Sequence, residues 1–352
     1  MSIAFDEWPL REPFVIAGST TESIVTVAVT LEHDGARGWG EALGVDYLGE
    51  TAESIREQLE ASRSEIEELG RLVEFAVGGD AAVGAGEAAG SPLAASVGNG
   101  FREALAALLP AGGARNAVDC ALWDLRCKRS GRTIWSWLDL EPRPVLTAFT
   151  LSLDEPAAMA AAAQHAAAYP LLKLKLDADD PAARIAAVRA ARPDAELLVD
   201  ANGSWSAALL AELAPSLVDR RVALVEQPLP AGADGALAAW DAPVPLCADE
   251  SSQTSADLDA LAARYRFVNV KLDKCGGLTE ALRIVERCRE LGLGLMVGNM
   301  LGSSLAMAPA FVVAQHCRWV DLDGPLLQRT DRKPPMRYEG ALLYPPPRDL
   351  WG

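Results

Sequence analysis

The sequence predicts an α/β protein: a (β/α)8-type barrel preceded by a small α+β domain. Three observations carry this. From residue 145 onward, short apolar runs alternate with longer helical runs at a repeat of roughly 25 residues. Before residue 140 the grammar differs, with a strand pair followed by helices. The 352 residues are half hydrophobic and 23% charged, enough to bury a large core and too many for one minimal domain. The boundaries read as 1–140 for the first domain and 141–324 for the barrel, with the tail 325–352 returning to the first domain.

In the first domain, residues 24–31 alternate as a strand does, and 38–43 return after a turn at Asp34 and Gly35. Residues 51–69 carry helical periodicity opened by a Thr cap with Glu behind it. The stretch 76–100, rich in Gly, Ala and Ser, reads as a mobile surface insertion. Helices follow over 101–109 and 114–129, the second stopped by Gly131. The barrel strands fall at 145–151, 171–176, 196–199, 222–225, 244–248, 267–270, 293–297 and 319–320. The intervening helices lie at 156–168, 181–191, 207–217, 255–264 and 278–291. A doubly wound nucleotide-binding sheet is the rival, but no strand is followed by GxGxxG, and the near misses at Gly84 and Gly292 have the wrong spacing.

Composition removes whole function classes. Lys and Arg total 32 against 49 Asp and Glu, a net charge of −17 that repels nucleic acid and anionic membrane. The first residues have acid where a signal peptide needs base, and no apolar stretch is long enough to span a bilayer, so a cytoplasmic location is expected. The six cysteines form no CxxC pair and sit in apolar segments, as reduced core residues do. The three histidines, His33, His165 and His316, have no partner at ligand spacing. Histidine-based hydrolases and zinc enzymes drop out.

Barrel active sites are built at the C-terminal ends of the strands. Read in order, strand 2 offers Lys173 and Lys175, two residues apart and hence on one face; strands 3, 4 and 5 end in Asp200, Glu226 and Asp249; strand 6 ends in Lys271; strand 8 ends in Asp321 and Asp323. Singly, an Asp at a strand end is a turn former or helix cap. Independent caps would not fall in phase, at spacings of 26 and 23 residues with lysines 25 before and 22 after. Three carboxylates on one arc repel unless a cation joins them, and an all-oxygen set calls for a hard ion, Mg²⁺ first and Mn²⁺ second. Strands 2 and 6 face each other across a ring of eight. Two lysines opposed over a bound carboxylate can remove an α-proton from one face and return it to the other, which is racemisation or epimerisation.

These residues resemble the enolase superfamily, in its muconate-lactonising subgroup, and within that the dipeptide epimerases. The motifs that carry the resemblance run through most of the chain: Pro13-Phe-Val-Ile, Gly38-Trp-Gly-Glu, the run from Ala114 to Asp124, Lys173-Leu-Lys175, Asp200-Ala-Asn202, Glu226-Gln-Pro228, Ala248-Asp-Glu-Ser251, the run from Val270 to Gly277, and Asp321-Leu-Asp323-Gly-Pro. The resemblance implies Lys175 and Lys271 as the acid–base pair and Asp200, Glu226 and Asp249 as Mg²⁺ ligands. It also implies Lys173 beside the substrate carboxylate, Asp321 and Asp323 receiving a dipeptide's α-ammonium, and a first domain that caps the barrel. A homo-oligomer is left open.

One departure bears on the substrate. Members acting on Ala-Glu commonly place an arginine in the first capping loop, whereas no Lys or Arg occurs from Glu12 to Ala36 here and the next loop carries Asp46 and Glu50. A non-acidic C-terminal residue is therefore expected, with L-Ala-D/L-Glu epimerisation in murein peptide metabolism as the alternative. o-Succinylbenzoate synthesis or muconate cycloisomerisation follows further behind, because such substrates have no ammonium for Asp321 and Asp323. A barrel that binds without catalysis would be expected to lack a lysine or a carboxylate, and none is missing.

Overall fold

The computed structural model describes residues 1–72 and 99–352. Strands β1 (Ser2–Ile16), β2 (Ser19–His33) and β3 (Ala36–Ala42) form an antiparallel sheet in that order. The β2–β3 turn is Asp34-Gly35, both with positive φ, the geometry a two-residue hairpin requires. The inward row Val27, Val29 and Leu31 packs with Ile55, Leu59, Leu122 and Leu125 from helices into a core of its own. β3 lies against the long helix Gly113–Ser130 so closely that a Cβ at Gly38 would sit 2.2 Å from the Ala121 carbonyl, and one at Gly40 2.0 Å from that of Ala117. That contact is why the Gly38-Trp-Gly40 spacing exists.

The helix expected over 51–69 is two, Ala52–Ala61 and Arg63–Leu72, separated at Ser62. Its Thr51 cap is present, but the reciprocal partner is the Ser54 hydroxyl and not a glutamate. The insertion read at 76–100 lies outside the described residues, except for its last two positions, which open the helix Asn99–Leu108.

Eight parallel strands follow in strict chain order: Phe149–Leu151, Leu171–Lys175, Glu196–Asp200, Val222–Glu226, Leu246–Ala248, Phe267–Val270, Gly294–Val297 and Trp319–Val320. A parallel bridge between Thr147 and Val320 joins the last strand to the first and closes the barrel. The strand expected at 145–151 is split, because Val145–Leu146 pairs with Leu342–Leu343 of the tail. The tail also reaches the first domain: the Arg329 guanidinium donates to the Leu10 carbonyl, and Trp351 Nε1 to that of Cys120.

Alternation along the strands builds the interior in layers. Ala148, Leu171, Leu198, Leu224, Cys247, Met296 and Trp319 meet in one buried cluster, with Phe267 packed against it. This is the apolar floor. Two residues further along each strand, on the same face, come Thr150, Lys173, Asp200, Glu226, Asp249, Asn269, Gly298 and Asp321. The period of two that makes the floor apolar makes the mouth polar.

Candidate active site

Asp200, Glu226 and Asp249 come together as the phase of the strands predicts: one carboxylate oxygen from each lies within 4.8 Å of the others, and all three side chains are buried. Lys175 Nζ donates to Asp200 Oδ2 at 2.6 Å, and Lys271 Nζ to Asp249 Oδ2 at 2.7 Å. The two lysines therefore reach the cluster from strands 2 and 6, on either side of it. Lys173 is the most enclosed of the mouth's cavity-lining lysines, with 1% of its side chain exposed. Its Nζ lies 3.0 Å from Asp200 Oδ2, 2.8 Å from Glu226 Oε2 and 2.8 Å from Asp321 Oδ2.

The expected aspartate pair on strand 8 has two different environments. Asp321 reaches the carboxylate cluster through Lys173 and accepts from the Thr150 hydroxyl at 3.3 Å, whereas Asp323 Oδ2 accepts from the Thr150 backbone N–H at 2.7 Å. Both line a cavity of about 700 Å³, the size of a small-ligand site, together with Lys173, Lys175 and Lys271. The first domain supplies the opposite wall through Phe14, Ile16, Ser19 and Thr21 of the β1–β2 hairpin and Asp46 and Tyr47 of the loop after β3. The Phe14 ring centroid is 6.0 Å from Lys175 Nζ. No arginine lines the cavity among the described residues.

Burial works upward on Asp200, Glu226, Asp249 and Asp323, and the neighbours decide where each ends. Burial works against ionised Asp200, but Lys173 and Lys175 outweigh it and hold this carboxyl at about 2. Burial works against ionised Asp249 too, yet Lys271 and Lys274 hold it well below the ordinary range. Glu226 is pushed up to about 8, by burial first and Asp200 second. Burial, followed by the Asp321 charge, raises Asp323 to about 7. Lys271 runs the other way: burial lowers it, and Asp249 more than compensates and raises it.

The site fits a hard divalent cation. Its donors are three carboxylates with no nitrogen or sulfur among them. Glu226 Oε2 is buried and accepts no hydrogen bond, because Lys173 approaches it outside hydrogen-bond alignment. An ion held by Asp200, Glu226 and Asp249 would satisfy that oxygen and would relieve the repulsion that adds to burial in raising Glu226.

Sequence reasoning left out the residues that set these side chains in place. Gln227, with a positive φ, accepts from the Asp249 and Ser251 backbone N–H groups and donates to the Leu229 carbonyl, which ties the loop after strand 4 to that after strand 5. Asn202, also at positive φ, accepts from Lys175 at 3.3 Å and donates to Glu250 at 3.1 Å. Lys274 and Asn269 grip Asp249 and Glu226. A signal for each was present: Asn202 follows the clustered Asp200 by two residues and Gln227 follows Glu226 directly, Asn269 shares the inward face of Lys271, and Lys274 lies one helical turn beyond it. Gly298 leaves the room, since a Cβ there would sit 2.8 Å from the Asn269 amide and 3.1 Å from Lys271 Cε.

Residues 156–348 match the family described as Enolase C-terminal domain-like. N-acetyl-D-glutamate racemase from Pseudoalteromonas sp is 47% identical over 244 residues, covering 69% of this chain and 78% of its own. L-Ala-D/L-Glu epimerase from Escherichia coli (strain K12) is 39% identical over 344 residues, 97% of this chain and 98% of its own. A solved structure of an enolase family member from Agrobacterium tumefaciens with homology to dipeptide epimerases, with bound sodium and L-Ala-L-Glu, matches at a TM-score of 0.88 and 39% identity, covering 100% of this chain and 99% of that one. A family match over more than half the chain and a relative aligned from end to end agree with the barrel, its layers and its charged mouth: the chain belongs to the enolase superfamily, among its dipeptide epimerase-like members.

Proposed function

We propose that this chain is a Mg²⁺-dependent dipeptide epimerase that inverts the C-terminal α-carbon of an L,L-dipeptide, with Mn²⁺ as a substitute ion. Lys175 and Lys271 are the acid–base pair, Asp200, Glu226 and Asp249 hold the ion, and Lys173, Asp321 and Asp323 bind substrate. Residues 141–324 supply this chemistry and residues 1–140 cap it. The observation that carries the reading is the pair of lysines reaching one carboxylate cluster from barrel strands 2 and 6 inside a single cavity.

One lysine, as the neutral amine, takes the α-proton, and the electron pair of the broken C–H bond passes into the adjacent carboxylate to give an enediolate. The other, as the ammonium, delivers a proton to the opposite face, and the roles exchange in the reverse direction. Held by Asp200, Glu226 and Asp249, the ion would supply a fixed double charge against the developing dianion. Lys173 adds a third positive charge beside it, and Asp323 with Asp321 offers negative charge to an ammonium. No helix among the described residues is long and apolar enough to cross a membrane.

The substrate's C-terminal side chain meets a wall without a free cation. The cavity's only cations among the described residues are Lys173, Lys175 and Lys271, all engaged with the cluster, while Asp46, Glu53 and Glu250 line it too. Arg332 is held by Glu41 and Asp6, and Arg56, exposed and lying over Phe5, does not line the cavity. Burying an unpaired carboxylate costs on the order of several kcal/mol. An apolar or cationic C-terminal residue is therefore favoured over glutamate. Both relatives above are named for glutamate substrates, which supports glutamate as the second reading.

Comparing kcat/KM for L-Ala-L-Leu, L-Ala-L-Lys, L-Ala-L-Glu and N-acetyl-L-glutamate decides between them. The proposal expects the Leu or Lys dipeptide to lead. A lead for L-Ala-L-Glu overturns the side-chain assignment, and a lead for N-acetylglutamate overturns the dipeptide assignment as well.

A further inference from the structure

Each carboxylate of the cluster is gripped in the same way. Asp200 Oδ1 accepts from the Asn202 backbone N–H at 3.0 Å, Glu226 Oε1 from Asn269 Nδ2 at 2.6 Å, and Asp249 Oδ1 from Lys274 Nζ at 2.6 Å. The second oxygen of each faces only the lysines that line the cavity: Asp200 Oδ2 meets Lys173 and Lys175, Glu226 Oε2 meets Lys173, and Asp249 Oδ2 meets Lys271. Three residues on three strands thus have one oxygen committed to the protein and one turned to the site.

Lys274 differs from those lysines. It does not line the cavity, and its remaining contacts are the Asp249 and Asn269 carbonyls, so it is a fixed structural cation. Its grip on Asp249 is on the oxygen that faces away from Lys271.

We propose that Lys274 and Asn269 are positioning residues that restrict Asp249 and Glu226 to one ligating oxygen each, and that this restriction selects a small octahedral ion over a larger one. The inference rests on the reading of Asp200, Glu226 and Asp249 as metal ligands. Its physical basis is the difference between the two common hard cations. Mg²⁺ demands near-octahedral coordination by single oxygens, whereas Ca²⁺ takes more oxygens at longer range and readily accepts bidentate carboxylates. A carboxylate with one oxygen withheld can serve the first and cannot fully serve the second. Lys274 also offsets one of the three carboxylate charges, and that effect is the same for any divalent ion. The ratio of two affinities therefore isolates geometry from charge.

The test is calorimetric titration of Mg²⁺ and of Ca²⁺ into the metal-stripped full chain, without substrate, for the parent, Lys274→Met and Asn269→Ala. The parent should bind Mg²⁺ more tightly than Ca²⁺. Lys274→Met should move the ratio of the two dissociation constants toward Ca²⁺ by tenfold or more, and Asn269→Ala should move it in the same direction if Lys274→Met fails to fold. A change in both affinities by one common factor, or an unchanged ratio, overturns the proposal, because a purely structural or purely electrostatic role leaves the ratio alone. Asp200→Asn serves as the reference: Mg²⁺ binding undiminished in that variant overturns the ligand assignment beneath the proposal, which is a different failure from an unmoved ratio.

Discussion

The barrel mouth and the seam between the first domain and the barrel both bury carboxylates, and they use them for opposite ends. At the barrel mouth, Asp200, Glu226 and Asp249 are surrounded by lysines and keep an oxygen turned to the cavity. At the seam between the first domain and the barrel, Asp119 and Asp273 are equally buried but are met by neutral donors. Asp119 accepts from the Thr279 backbone N–H, and Asp273 from the Leu43 N–H and the Asn116 amide. Burial raises both seam acids, Asp119 to about 6 and Asp273 to about 7. Glu41 stands between the two cases, since it bridges Ser303 and the Arg332 guanidinium across the same seam. At the mouth, lysines outweigh burial and hold Asp200 and Asp249 charged, while burial and the Asp200 charge raise Glu226; at the seam, hydrogen bonds from neutral donors leave burial in command of both acids.

The largest test of that contrast removes the cations from the mouth. Lys175→Ala or Lys271→Ala should lower the epimerisation rate by about 10³-fold or more, measured by polarimetry or chiral chromatography, with the melting temperature little changed. A variant retaining a tenth of the parent rate would place the chemistry elsewhere.

At the seam the prediction concerns pH. The folded state holds on Asp273 a proton that a free carboxyl, with a pKa of about 3.9, would release. The stability from this site is therefore complete below pH ~4 and is lost as pH rises through about 7. Asp273→Asn keeps the acceptor for Leu43 and Asn116 and cannot ionise. Relative to the parent it should gain on the order of a few kcal/mol between pH 5 and pH 8, read from urea midpoints. An equal difference at both pH values would show that the carboxyl is ionised in the fold.

A smaller effect belongs to the strand-8 aspartates. Asp323→Asn should reduce kcat/KM for dipeptides with a free α-ammonium by about 10–100-fold while leaving N-acetylated dipeptides nearly unaffected. Equal losses for both would mean that Asp323 supports the Thr150 backbone and does not meet the ammonium.

The contrast also explains what was legible. The mouth could be read because barrel strands place functional side chains at a fixed phase, so Asp200, Glu226, Asp249 and Lys271 announce themselves by spacing. The seam could not. Asp119 lies in mid-helix, where a carboxylate looks like any solvent-facing residue, and its partner Thr279 is 160 positions away. Asp273 pairs with a backbone N–H 230 positions away, and a backbone donor leaves no trace in sequence. Asn269 and Lys274 were hidden differently, beside Lys271, whose stronger signal accounted for the motif. The division of Asp321 from Asp323 lies in the folded chain alone, where Lys173 reaches across to Asp321 and the two carboxylates take different donors of Thr150.

In the proposed reaction two lysines act on opposite faces of one carbon. Its most direct measurement is α-deuterium incorporation in D₂O by the Lys175→Ala and Lys271→Ala variants, followed by mass spectrometry and NMR on the L,L- and L,D-forms of L-Ala-Leu separately. Each variant should exchange the α-proton of one isomer only, the two variants should exchange opposite isomers, and neither should interconvert them. Exchange of both isomers by either variant would contradict this, because a single base would then serve both faces.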